Sequence, residues 1–230
     1  MMVSDFKKEN LMKRILFSMM CVYLISVAFA KADVSDKNAQ LIQAAKEGNL
    51  PVVQTLLADG AGVNAHRTSD GVTALFMASQ NGHTEVVKLL LEKGADANIK
   101  ADDGATALMV TAENGHAEIV KLLLEKGADV DARKTEEGVT ALWMAAQDGR
   151  TEIARLLLEK GSDINAKSNT GQTPLWIAAE NGHTETVKFL LEKGAEVNTR
   201  AKDDVTALGA AKKNGRTDIV QLLEKAGAKE

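Results

Sequence analysis

The chain repeats itself, and nothing else in it restricts the fold so severely. The segments Gly71-Val-Thr-Ala-Leu, Gly104-Ala-Thr-Ala-Leu, Gly138-Val-Thr-Ala-Leu, Gly171-Gln-Thr-Pro-Leu and Asp204-Val-Thr-Ala-Leu succeed one another at 33, 34, 33 and 33 residues. Two glycine series keep step: Gly48, Gly82, Gly115, Gly149, Gly182 and Gly215 in one, Gly60, Gly94, Gly127, Gly161, Gly194 and Gly227 in the other. A unit this short cannot cover its own apolar face, so each gains stability by docking on the next.

Within a unit the residues describe two short helices. Threonine ahead of alanines, as in Thr140–Ala146, predicts a first helix whose free N–H groups the hydroxyl accepts. Thr173-Pro174 sharpens this, because proline suits the first helical position. An Asn-Gly or Asp-Gly turn follows, and then a second helix such as Glu85–Lys93, whose Val86, Val87, Leu90 and Leu91 make one apolar face. Gly94 ends it in a left-handed conformation. Ala95-Asp-Ala-Asn98 and its counterparts near Asp131, Asn165 and Asn198 make the tight loop into the next unit. Aromatic residues are 3% of the chain and prolines number two, while alanine and leucine supply much of the 45% hydrophobic share. The expected class is therefore all-α.

The segment Gly71–Asn98 (GVTALFMASQNGHTEVVKLLLEKGADAN) resembles an ankyrin repeat over its full length. The likeness extends over Val34–Glu230 and implies a solenoid of stacked helix-turn-helix units, of the kind seen in exported bacterial-type members of that family. The units are expected at 68–100, 101–134, 135–167 and 168–200, between a degenerate N-terminal capping repeat at 34–67 and a C-terminal capping repeat at 201–230. Alanines such as Ala78, Ala112, Ala145, Ala146, Ala178 and Ala179 should let the helices approach closely.

The ankyrin pattern has histidine after Thr-Pro-Leu, whereas these units carry Phe76, Met109, Trp143, Trp176 and Gly209 there. Two readings are open. These side chains fill the gaps between units, or they form an exposed stripe of anchors, with Trp143 and Trp176 side by side as the first candidates. The family binds proteins through loop tips and the inner surface of the first helices. By resemblance, that implies a partner-binding role for Asp70, Gln80, Asp102, Asp103, Glu113, Glu136, Glu137, Gln147, Asp148, Asn169, Gln172 and Glu180. The tips of the second to fourth clear units run acidic, acidic, neutral, which suits a partner with a basic patch.

Chemistry of other kinds finds no support in the sequence. His83, His116 and His183 each follow a turn glycine, and equivalent atoms of stacked units lie a helix-packing distance of about 8–10 Å apart, too far to share a zinc ion. They read as structural turn residues, with His66 in an inter-unit loop. No nucleophile elbow, phosphate-cradling loop or dinucleotide fingerprint breaks the repeat register. The expectation is no enzyme, no metal and no cofactor. Residues 1–30 hold four basic and two acidic side chains, so the remainder is two units more acidic than the formal −4 of the whole chain. That remainder lacks the basic footprint that nucleic acid or an anionic membrane requires. A monomer engaging a protein partner is expected.

Lys13-Arg14 precede the apolar run Ile15–Ala30, which closes in Ala28-Phe29-Ala30 with Ala30-Lys31-Ala32 overlapping. This is the layout of a signal peptide over 1–30, shorter than the ~20 apolar residues of a comfortable membrane span. Cleavage is expected after Ala30 or Ala32, and Met12 offers a more regular start for the leader. The chain's one cysteine, Cys21, lies inside it, so the mature part has no thiol to mispair in an oxidising compartment. The destination is the periplasm or the exterior. The role is a scaffold or adaptor; the alternatives are a secreted effector that binds a host protein and, if the leader stays, a membrane-tethered adaptor.

Overall fold

The computed structural model describes residues 34–229. The leader, the start at Met12 and both cleavage positions lie outside the described residues. Twelve helices occur among the described residues, in six consecutive pairs. Residues 34–47 (α1) pair with Leu50–Ala58 (α2), Ala74–Gln80 (α3) with Thr84–Glu92 (α4), and Ala107–Asn114 (α5) with Ala117–Glu125 (α6). Then follow Ala141–Gln147 (α7) with Thr151–Glu159 (α8), Pro174–Asn181 (α9) with Thr184–Glu192 (α10), and Ala207–Lys213 (α11) with Thr217–Lys225 (α12). The fold is an all-α solenoid in which first helices pack on first helices and second helices on second helices. Isolated β-bridges at His66–Thr73 and Arg200–Thr206 close two of the hairpin-like loops between units.

Local chemistry explains the helix starts. Thr73, Thr106, Thr140, Thr173 and Thr206 are extended at the N-cap, and each hydroxyl accepts from the backbone N–H three residues on, at 3.1–3.4 Å. Each of these threonines is buried, so the bond satisfies a donor that water does not reach. The second helices start one residue earlier than the sequence suggests: α4 spans Thr84–Glu92, with Lys93 outside it as the cap. Proline is found at the start of α9, where its missing N–H is harmless.

Packing then sets the order of the stack. Ala78, Ala112, Ala145, Ala146, Ala178 and Ala179 are completely buried, and a methyl there lets neighbouring first helices come close. Leu90, Leu123, Leu157 and Leu190 on the second helices are equally buried. Truncating one of them to alanine removes roughly 2–5 kcal/mol. The apolar core runs in two stretches, one from Leu41 to Phe189 and one from Ala146 to Leu223, and Trp143 and Leu158 pack against both.

Polar side chains tie each unit to the next. Asn98 shows the pattern: its Nδ2 donates to Gly127 O at 3.1 Å and its Oδ1 accepts from Asp129 N at 2.7 Å. Asn64 does the same to Gly94 O and Asp96 N, and Asn198 to Gly227 O and Lys229 N. A second ladder uses the residue after the turn glycine. His83, His116 and His183 donate from Nε2 to Lys46 O, Gln80 O and Gln147 O at 2.9, 3.3 and 2.7 Å. Arg150 and Arg216 make the equivalent bonds to Glu113 O and Glu180 O. Side chains at this position thus make a polar link between successive units. Gly82 is needed here twice over: its φ is +76°, and a Cβ on it would lie 2.5 Å from the His116 ring.

Candidate functional site

The loops between units project as tips, and their backbones bond in series. Asp102 N donates to Asp70 O, Thr135 N to Asp103 O, Asn169 N to Glu137 O and Lys202 N to Thr170 O, at 2.8–2.9 Å. A continuous rim of tips therefore runs beside the row of first helices. Side chains at the ends of those helices and on the tips share one face without belonging to one unit.

Charge on this rim is arranged in clasps. Arg67 holds Asp70 with two nitrogens, and the guanidinium hydrogen bond keeps the Asp70 carboxyl below its ordinary value. Lys134 reaches Glu137 at 3.2 Å and Asp103 at 3.5 Å, so it bridges two adjacent tips. Burial works against its ammonium, but the two carboxylates outweigh that and its pKa lies above the ordinary lysine value. Arg133 bonds the carbonyls of Gly138 and Lys167.

An open cleft of about 450 Å³ lies on this face, formed by α7, the end of α5 and the tips on either side. Of the residues the sequence singles out, it gathers Glu113, Glu136, Glu137, Trp143, Gln147, Asn169 and Gln172. Asp70, Gln80, Asp102, Asp103, Asp148 and Glu180 stand outside it along the same run of units, exposed or half-buried. The sequence passes over Met144 and Ser168, which also line the cleft. Met144 follows Trp143 directly and Ser168 opens the hairpin after it, so their proximity comes from the stacking of two units.

The row of large apolar side chains divides. Phe76, Met109 and Trp176 are 8%, 1% and 5% exposed, which decides between the two readings for them: they fill the gaps between units and are not surface anchors. Trp176 is also tied down, since its Nε1 donates to Val205 O at 3.1 Å. Trp143 is different. It is half-buried, it forms part of the cleft wall, and its indole N–H has no hydrogen-bond partner. Among the described residues no group of three or more His, Cys, Asp or Glu is arranged to hold a metal ion. None of their helices is long and apolar enough to cross a membrane.

A family model described as ankyrin repeats in three copies fits overlapping stretches of the chain, at 9–101, 41–134, 93–168, 130–201 and 165–229. No curated protein matches it.

Proposed function

Because the chain belongs to the ankyrin-repeat family, whose members generally serve as protein-interaction scaffolds, we propose that it is an exported scaffold that holds a partner protein along its tips and first helices. The observation that carries this reading is the rim of tips bonded backbone to backbone across successive units. Such a surface is held in shape before a partner arrives, and preorganisation lowers the ordering cost of binding. A repeat face of this kind offers many shallow contacts, and the side chains that project from it are polar and varied from unit to unit. Ankyrin-repeat proteins typically do no chemistry of their own, and the role proposed here needs none.

The leader-like residues support export: Lys13-Arg14, the apolar run to Ala30, and the absence of cysteine after Cys21. N-terminal sequencing of the protein recovered from fractionated cells should give a first residue of Lys31 or Asp33, in the periplasmic or external fraction. A chain still beginning at Met1 or Met12 and sedimenting with membranes would make it a tethered adaptor instead.

Partner binding tests the face itself. Alanine at Gln80, Glu113, Gln147, Asp102 and Glu136 should weaken capture of the partner and leave the melting temperature nearly unchanged, because none of these side chains is in the core. The reading fails if capture survives those changes and is lost only on altering Glu118, Arg155 or Lys188 on the second helices.

A further inference from the structure

The cleft at Trp143 has a composition that points to one kind of guest, and the inference rests on the scaffold reading while narrowing it. At about 450 Å³ it falls in the range of pockets that hold a small group, about 300–1,000 Å³. The equivalent positions in neighbouring units, Phe76, Met109 and Trp176, are buried, whereas Trp143 is half-buried and borders the cleft. Glu113 and Glu136 also line the cleft, and no cation among the described residues pairs with either. Lys134, the cation of the cleft, is already engaged by Glu137 and Asp103. The result is an indole beside two uncompensated carboxylates.

We propose that this cleft receives a single cationic side chain, arginine or lysine, from an extended segment of the partner, with Trp143 as the stacking surface and Glu113 and Glu136 as the counter-charges. A cation over an indole is attracted by the ring quadrupole, and tryptophan is the best of the aromatic acceptors. The carboxylates supply the complementary potential that selects the partner. The Trp143 N–H is buried without an acceptor, whereas that of Trp176 donates to Val205 O. A second copy of this chain, nucleic acid and anionic lipid all bring negative charge to an already negative wall, so charge complementarity selects a basic protein segment over each of them.

The two tryptophans, Trp143 and Trp176, give two indole N–H resonances, which Trp176→Phe assigns. The protein is titrated with the blocked peptide acetyl-Ala-Gly-Arg-Gly-Ala-amide and with its citrulline counterpart, which keeps the shape and loses the charge. The arginine peptide should shift the Trp143 resonance saturably and leave that of Trp176 in place, and the citrulline peptide should bind about tenfold more weakly or worse. Glu113→Gln with Glu136→Gln should weaken the arginine peptide about tenfold at unchanged melting temperature. Trp143→Ala would open a hole where the two core stretches meet, so Trp143→Leu is the variant of choice; it keeps apolar bulk and should abolish binding followed on the backbone resonances of the cleft. No saturable shift at Trp143, equal affinity for the citrulline peptide, or wild-type affinity in the double glutamine variant overturns the proposal. Each of those results leaves the scaffold reading intact, since that is decided by capture of a whole partner along the whole face.

Discussion

Two residues sit where their neighbours' counterparts show a better solution. Ser79 is fully buried in α3 and its hydroxyl has no partner, while Ala112, Ala146 and Ala179 stand at the matching positions. An unsatisfied buried hydroxyl costs about 1–3 kcal/mol, so Ser79→Ala should stabilise the protein by about 1 kcal/mol and raise its melting temperature by a few degrees; no rise would mean that the hydroxyl is satisfied. Asp204 replaces the glycine of the other tips and sits at φ +64°. That conformation costs a side-chain-bearing residue about 1 kcal/mol, whereas the exposed pair Asp204 makes with Arg200 is worth less. Asp204→Gly should therefore also raise the melting temperature, and a fall would show that the ion pair outweighs the backbone term. At this scale the sequence was readable wherever the cause is local: the threonine caps and the glycine turns follow from chemistry within three or four residues. Trp143 and Trp176 were not separable, because they hold the same place in the repeat. What parts them is tertiary, a carbonyl of Val205 within reach of one indole and an open wall carrying Gln172 and Asn169 beside the other.

Between elements, the rungs that join units show how a local change is compensated by another 31 residues away. The third rung has Asp131 where others have asparagine, and a carboxylate cannot donate to the next glycine carbonyl. Ser162, in the place of Ala95, Ala128 and Ala195, joins the same two loops by a different bond: its Oγ donates to Asp131 Oδ1 at 3.0 Å, and Asp163 N donates to the same oxygen at 3.1 Å. The two residues should therefore behave as a coupled pair. Ser162→Ala is expected to cost about 1 kcal/mol in the native background and close to nothing once Asp131→Asn restores the donor. A double-mutant cycle by thermal unfolding measures this, and strictly additive changes would contradict the rung. The sequence marks both loops as turns without revealing the link, since nothing in either segment alone calls for the other. The same holds for Arg150 and Arg216. Their place in the histidine series was visible in the period, but their bonds to Glu113 O and Glu180 O appear only once the units are stacked.

Across the whole molecule, stability is a sum of units and the interfaces between neighbours, with no central core on which every residue depends. This was the most legible property of the chain, because period and composition alone require it. The face proposed to bind a partner was legible as a region through resemblance, while the cleft at Trp143 depends on how three successive units meet. Serial stacking has a consequence that a single globule does not share: damage at one end should stay near that end. Residue-resolved hydrogen exchange on Leu223→Ala, a change to a fully buried leucine of α12, tests this most directly. Amide protection should fall in α11 and α12, less in α9 and α10, and remain at its native level in α3 to α6. An equal loss of protection in every helix would contradict the account.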